Sequence, residues 1–425
     1  MNPIRQHARI LTAALVGTTV EFYDFYIFGT AAALVFGPAF FPKASPMAQG
    51  LLTFMTLGIA FVARPLGAVA FGHFGDRLGR KSTLVGSLVL MGASTLLIAF
   101  LPSWAFCEGL GAGWLAPVLL CLLRFGQGFG LGGEWGGAAL LAVEYAPPGW
   151  TARFGAAPQF GAPLGFLAAN GLFLALGLRL SPAQFMAWGW RVPFLFSAVL
   201  VAVGLWVRLN IAETPQFRAA LERGHVAKVP VVPLFTHWLW PLVLGNMAVV
   251  ACFAIFYLST TFALSQGAGP LGWGRTTFLT LQLAANLFLA LGIAVAAVWS
   301  DRIGPGRVLA RGMVLTMLVG TLFGWGLTSP SLAIVFVTLA ASLFAMGLCY
   351  GPLGGWLPTL FPVELRYSGI SVAFSAGGVI GGALVPMAAT ALAARGDGVA
   401  VGLLMIAAGL LSLAGVVLAR PAGSA

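Results

Sequence analysis

The chain has 425 residues, of which 60% are hydrophobic and 8% charged, against about 45–50% and about 25% in an ordinary soluble domain. Its 22 basic and 11 acidic side chains cannot solvate a 44.1 kDa globule, and a mean hydropathy of +0.97 agrees. This composition excludes a soluble enzyme, a disordered chain and a nucleic-acid-binding module, and leaves an integral membrane protein.

A bilayer span takes about 20 apolar residues. The apolar runs here are long and continuous, unlike the alternating segments of a β-barrel, so helices are expected. Arg5 and Arg9 precede the first run as in a signal peptide. That run soon meets Glu21 and Asp24 and has no convincing cleavage site, so it is expected to be a retained first helix. In chain order the runs predict helices at 10–37, 48–71, 83–101, 115–146, 155–178 and 191–210. A second set follows at 236–265, 276–299, 308–327, 331–361, 369–394 and 398–418. Between the sets lies the most polar internal stretch, 208–230, with Arg208, Glu213, Arg218, Glu222, Arg223, His225 and Lys228. The expected organisation is an N-terminal six-helix bundle over 1–210, a cytoplasmic linker over 211–235 and a C-terminal six-helix bundle over 236–425. Cys107, Cys121, Cys252 and Cys349 show no metal or redox spacing and read as small apolar filler.

Positive charge orients the spans. With a cytoplasmic N-terminus, the inner segments hold fifteen basic residues: Arg5, Arg9, Arg77, Arg80, Lys81, Arg153, Arg208, Arg218, Arg223, Lys228, Arg302, Arg307, Arg311, Arg366 and Arg420. The outer segments hold Lys43, Arg179, Arg191, Arg275 and Arg395, while Arg64 and Arg124 fall inside spans. Both termini are therefore expected in the cytoplasm, and the +11 net charge follows from this loop bias rather than from nucleic-acid binding.

The sequence repeats itself. Gly72-His-Phe-Gly-Asp76-Arg77-Leu78-Gly79-Arg80-Lys81 follows the second helix, and Ser300-Asp301-Arg302-Ile303-Gly304-Pro305-Gly306-Arg307 follows the eighth. Glu144 and Arg153-Phe-Gly155 after the fourth helix are matched by Glu364-Leu-Arg366 and Gly369 after the tenth. Two matches at corresponding positions argue for duplicated halves.

With these motifs the chain resembles the major facilitator superfamily, whose carriers are built from paired halves. Glu21-Phe-Tyr-Asp24, Arg64-Pro65-Leu-Gly67, Arg124-Phe-Gly-Gln127-Gly128, Gly132-Gly133-Glu134-Trp135-Gly136 and Trp188-Gly-Trp190-Arg191-Val-Pro193 are similar to the metabolite:proton symporter family within it. That family includes carriers for shikimate, citrate, 2-oxoglutarate, other carboxylates, and proline or betaine. The resemblance implies an all-α membrane protein of twelve transmembrane helices in two pseudo-symmetric six-helix bundles. It also implies proton-coupled uptake in the bacterial inner membrane, with protons as coupling ion and no other cofactor. The second copy of the loop motif has Pro305 and Gly306 where the first has Arg80 and Lys81, so its gate is expected to be the weaker one.

The loop residues suit a cytoplasmic gate. Asp76, Arg77, Arg80 and Lys81 can pair with Glu144 or cap helix ends, with Gly72 and Gly79 allowing close approach and a tight turn. Arg153, Asp301, Arg302, Glu364 and Arg366 are their counterparts. Such contacts must break when the carrier opens inward.

Inside the spans lie Glu21, Asp24, Arg64, Arg124 and Glu134, each costing about 2.5–3.5 kcal/mol by insertion scales. They should pair or line a cavity. Asp24 and Arg124 are expected at comparable depth, and Glu134 near the depth of Arg64. Three acids against two bases leave one negative charge uncompensated, and a buried carboxylate without a partner takes up a proton. This is the physical basis of a coupling site, with Asp24 and Arg124 as first choice, then Glu21 and Glu134. Arg64 is expected in a buried ion pair.

Arg124, Tyr26, Gln127, Trp135 and Gln159 are the substrate-binding candidates of the first half, and Asn170 is a comparable polar residue. The second half offers only neutral groups: Asn246, Tyr257, Gln282, Asn286, Tyr350, Trp356 and Ser375. Coupling in the first half and neutral recognition in the second is the expected division. The glycines of helices five and eleven fall short of the antiporter pattern GPxxGG, which favours uptake.

The leading expectation is a monomeric secondary carrier that imports a small polar metabolite, chiefly a carboxylate, with protons by alternating access. An exporter or uncoupled facilitator of the same fold, or a carrier of a zwitterionic osmolyte or polyol, are the alternatives. A membrane enzyme is disfavoured because His7, His73, His225 and His237 all lie in or beside cytoplasmic segments. No Walker-type loop suggests an ATP-driven pump, and no charged ring suggests a channel.

Overall fold

The computed structural model describes residues 3–78, 80–209, 231–363 and 365–422, with side chains throughout except at 72–84, 208 and 231. Helices dominate, and the first half contains α1 (Ala8–Phe40), α2 (Pro46–Leu78), α3 (Arg80–Ile98), α4 (Leu115–Glu144), α5 (Thr151–Arg179) and α6 (Gly189–Val207). The second contains α7 (Leu239–Ala268), α8 (Arg275–Ile303), α9 (Pro305–Leu327), α10 (Leu332–Leu360), α11 (Arg366–Ala394) and α12 (Gly398–Leu418). Among the described residues eleven helices are long and apolar enough to cross a membrane, and α3, whose shorter apolar stretch is Val85–Ile98, completes the twelve. Every expected span is present. Most of the expected linker, 211–230, lies outside the described residues; its end forms the short helix Val231–Thr236.

Two expectations need refinement. The span expected as one helix over 115–146 is broken into Leu115–Leu131 and Glu134–Glu144, because the Gly132-Gly133 pair favours a turn there. The fifth span begins earlier than expected, at Thr151, so Arg153 lies on a helix rather than in a loop.

Glycines set the helix spacing where α2 meets α4. A methyl group on Gly67 would collide with the Phe129 carbonyl, and one on Gly128 with the Ala60 backbone. Without a hydrophobic drive between helices in lipid, such close approach supplies the packing energy. The turn from α8 to α9 is made by Gly304 at φ 93°, a left-handed conformation that suits glycine, followed by Pro305 in the first turn of α9.

The first helices of the two halves, α1 and α7, are the most enclosed. Each carries one π-helical turn, Ala32–Phe36 and Leu258–Phe262, and these turns touch. The halves otherwise meet along α5 against α8 and α2 against α11. The periphery shows Leu122, Trp206, Leu318, Trp325, Leu403 and Val417 to the surroundings, a surface suited to hydrocarbon.

Candidate functional site

Glu21 and Asp24, three residues apart in the most buried part of α1, have different partners. Glu21 Oε1 lies 3.3 Å from Arg64 Nη2 on α2, and both side chains are buried. Sequence depth sets Arg64 near the level of Glu134 without naming its partner. The structure pairs Arg64 with Glu21, and places Glu134 at the start of the second segment of α4, where a helix N-terminus favours an acid. Asp24 turns toward α6, where the Ser197 hydroxyl donates to Oδ1, and Thr95 of α3 lies beside the carboxyl group. Its other oxygen is buried without a hydrogen-bond partner.

Arg124 on α4 is fully buried. Its Nη1 donates to Gln127, and its guanidinium lies 4.2 Å from the Phe25 ring centroid and 3.9 Å from that of Phe28. Nε and Nη2 have no acceptor. Comparable depth does not make Asp24 and Arg124 an ion pair. Gln127 joins them instead, its amide nitrogen donating to the Asp24 backbone carbonyl at 3.0 Å and to Thr95 Oγ1 at 2.9 Å. An acidic and a basic side chain are thus buried on one shared hydrogen-bond network without a direct ion pair between them.

Between the halves lies a cavity of about 20 Å³. Phe22, Phe25, Tyr26 and Arg64 line it from the first half, and Cys252, Phe253, Phe256, Tyr257, Met346, Tyr350 and Phe374 from the second. The second half contributes only uncharged groups to this lining. Room for roughly one water means that a metabolite enters only when the halves move. Tyr26 stacks on Phe256 across the interface, with centroids 4.8 Å apart. Trp135 stacks on Phe374 at 3.7 Å and donates from Nε1 to Gln159 Oε1 and the Tyr350 hydroxyl, each at 3.1 Å. A second, smaller void is lined by Tyr26, Thr30, Phe166, Asn170, Thr260, Thr261, Leu264 and Gln282.

The structure therefore gathers Tyr26, Tyr257 and Tyr350 at the cavity, with Trp135 and Gln159 behind them. Gln127 belongs to the Arg124 network, Gln282 to the smaller void, and Asn286 donates to the Pro163 carbonyl of the other half at 2.9 Å. Asn246 is half-buried and Trp356 lies beside Gly306 at the far end of α10; neither lines either cavity. Ser375 is 3.5 Å from the Gly132 carbonyl. Sequence reasoning missed Ser197 and Thr95, whose hydroxyls look like ordinary helix-packing groups until α3, α6 and α1 are assembled. It also missed the phenylalanines of the cavity wall, Phe22, Phe25, Phe253, Phe256 and Phe374; the position of Phe22 and Phe25 beside Glu21 was the available signal. Cys252 fills space as expected, yet it also faces the cavity.

At the end of the bundle carrying the repeated loops, the halves are latched. Asp301 on α8 accepts from the Ala152 backbone nitrogen at 2.8 Å and pairs with Arg153 at 3.1 Å. Tyr367 donates to the Gly133 carbonyl at 2.7 Å, again between halves. Arg366 donates to the Pro358 carbonyl within its own half, and Arg302 is exposed. Gly79 and Glu364 lie outside the described residues, and the side chains of Asp76, Arg77, Arg80 and Lys81, with Gly72, fall in the stretch described by backbone alone. Glu144 is half-buried at the end of α4. At the opposite end the Arg275 guanidinium lies 3.7 Å from the ring centroid of Phe185, also across the halves.

Comparisons with known proteins agree with this architecture. A family described as "Sugar (and other) transporter" matches residues 10–229. The chain is 44% identical over 425 residues to the inner membrane metabolite transport protein YhjE of Escherichia coli (strain K12), covering 98% of this chain and 95% of that one. It is 38% identical over 388 residues to the shikimate transporter of the same organism, covering 90% and 87%. A proton:xylose symporter, XylE, solved with 6-bromo-6-deoxy-D-glucose, superposes with a TM-score of 0.74 over 95% of this chain and 94% of that one, at 18% identity, which speaks for the fold alone. The twelve-helix architecture, the duplicated halves and the relatives together assign the chain to the metabolite:proton symporter family of the major facilitator superfamily: it is a multi-pass membrane transporter of small metabolites and not an enzyme.

Proposed function

We propose that the protein imports a small carboxylate together with protons across the bacterial inner membrane, by alternating access of its two halves. The observation that carries this reading is Arg124, a fully buried cation with two N–H-bearing nitrogens left without acceptors. A buried guanidinium needs an anion, and Asp24 does not supply one by contact. A substrate carboxylate reaching Arg124 past the Phe25 ring would supply it. Asp24, buried with one oxygen unpartnered, is the proton carrier in this reading. Glu21 is second choice because Arg64 already engages it, and Glu134 third. Gln127 couples the two sites, since displacing Arg124 toward substrate alters the link to Asp24.

Tyr26, Tyr257 and Tyr350, supported by Trp135 and Gln159, form the neutral walls. Asp301 and Arg153, with the loop residues Gly72, Asp76, Arg77, Gly79, Arg80, Lys81, Glu144, Arg302, Glu364 and Arg366, make up the gate. The excess of Lys and Arg in these loops puts this end, and both termini, in the cytoplasm. In this reading a monomer is the functional unit, with protons and lipid as its other partners. YhjE is called an inner membrane protein, which supports the location.

The test is uptake by purified protein in proteoliposomes over a panel of carboxylates, with and without an imposed pH gradient. Accumulation should vanish with a protonophore, and Asp24→Asn should abolish accumulation while retaining substrate counterflow. Accumulation indifferent to the proton gradient overturns the symport reading, and an Asp24→Asn protein that still accumulates removes Asp24 from the proton path.

A further inference from the structure

Gln282 on α8 is held in an unusual way. Its amide nitrogen donates to two successive backbone carbonyls of α7, Ser259 at 3.0 Å and Thr260 at 2.8 Å. Both belong to the π-helical turn Leu258–Phe262, where the regular hydrogen-bond ladder is widened. With two acceptors on the nitrogen, the orientation of the amide is fixed by its surroundings. Its other end, Oε1, is therefore an acceptor, and it is buried with no hydrogen-bond partner although the residue is only 1% exposed.

That residue lines the smaller void, a space of about 10 Å³ that fits a single water-sized group. Two of the hydroxyls there are already committed. The Thr30 hydroxyl donates to Asn170 Oδ1 at 2.6 Å and the Thr260 hydroxyl to the Phe256 carbonyl at 2.6 Å. Tyr26 and Thr261 also line the void, yet neither hydroxyl donates to Gln282 Oε1, which is left without a donor. Its lining contains no acidic side chain, so an ammonium group would enter without a counter-charge, whereas an alcohol brings a donor and no charge. Asn286, one turn along α8, repeats the arrangement: its amide nitrogen is spent on the Pro163 carbonyl, and Oδ1 is buried and unpartnered.

We propose that this void is a hydroxyl-reading subsite, in which Gln282 Oε1 accepts a hydrogen bond from an alcohol group of the transported carboxylate. Tyr26 borders both this void and the central cavity, so one substrate can present its hydroxyl to Gln282 and its remainder to the aromatic chamber. The proposal rests on the carboxylate reading above. A site with a buried acceptor rejects an analogue that leaves the acceptor unpaired, by about tenfold or more.

The experiment measures kcat/KM for uptake into proteoliposomes with matched pairs: shikimate against cyclohex-1-ene-1-carboxylate, malate against succinate, and glycerate against propionate. Among the pairs that are carried, the wild-type protein should prefer the hydroxylated member about tenfold or more. Gln282→Met should erase that preference, lowering uptake of the hydroxylated member about tenfold more than that of the deoxy member. Equal use of both members by the wild-type protein overturns the subsite, whether or not the variant folds. So does a Gln282→Met protein that loses both members equally, the mark of a residue that only clamps the π turn. If no carboxylate of any pair is carried, the carboxylate reading falls and the subsite with it, an outcome distinct from uptake without hydroxyl preference.

Discussion

Arg64 and Glu21 form a membrane-buried ion pair at 3.3 Å, with side chains only 4% and 2% exposed. In hydrocarbon neither charge is tolerable alone, so each is the condition for the other. Removing one partner of such a pair strands the second, at a cost of about 3–5 kcal/mol. Glu21→Gln should therefore lower thermal stability in detergent sharply, and the double variant Glu21→Gln/Arg64→Met should recover most of it. A thermal-unfolding series over the wild type, both single variants and the double variant checks this. Glu21→Gln retaining wild-type stability would refute a structural pair and promote Glu21 as a proton carrier.

The Asp301–Arg153 contact, with its added bond to the Ala152 nitrogen, holds the two halves at one end. Asp301→Asn removes the charge and weakens both contacts, which at about 1–3 kcal/mol shifts the conformational balance roughly 5- to 150-fold toward opening at that end. Labelling of Cys252 by a membrane-impermeant maleimide, added from the face bearing the loops, should rise accordingly in inside-out vesicles. An unchanged labelling rate would show that this latch does not control opening.

Cys252 is the one thiol that lines the central cavity among the described residues; Cys107 and Cys349 are buried and Cys121 half-buried. Alkylation with N-ethylmaleimide should inhibit uptake, a transported substrate should slow the inhibition, and Cys252→Ala should be resistant. Inhibition of the Cys252→Ala protein at the wild-type rate would place the sensitive thiol elsewhere.

The α2–α4 contact leaves no space at Gly67, where a Cβ would meet backbone rather than a movable side chain. Gly67→Val should force the helices apart and reduce the yield of monodisperse protein, whereas Gly86→Ala, where the added carbon meets nothing, should be neutral or slightly stabilising through helix propensity. Size-exclusion chromatography and melting temperatures of the two variants separate these outcomes.

The twelve spans, the duplicated loop motifs and the five embedded charges were all legible in the chain. Hydropathy fixes which segments leave water, and a charge in an apolar run is conspicuous wherever the helix goes. Partner choice was not legible. Depth along each helix placed Asp24 level with Arg124 and Glu134 level with Arg64, but depth is one coordinate and pairing needs three. Rotation of each helix about its axis gave Arg64 to Glu21, turned Asp24 to Ser197, and set Gln127 between Asp24 and Arg124. Asn246 and Trp356, plausible on polarity alone, were turned or carried away from the cavity by the same geometry.

The sequence by itself thus determined the class, the twelve-helix frame and the short list of residues that cannot sit idle in a membrane, because transfer energies depend on composition and not on neighbours. Only the tertiary structure decided which charges pair with one another, which keep polar atoms without a partner, and that Gln282 and Asn286 each spend their donors on backbone and keep an acceptor free. Those are statements about distance and direction between helices far apart in the chain, and hydrogen bonds and ion pairs exist only where both are right.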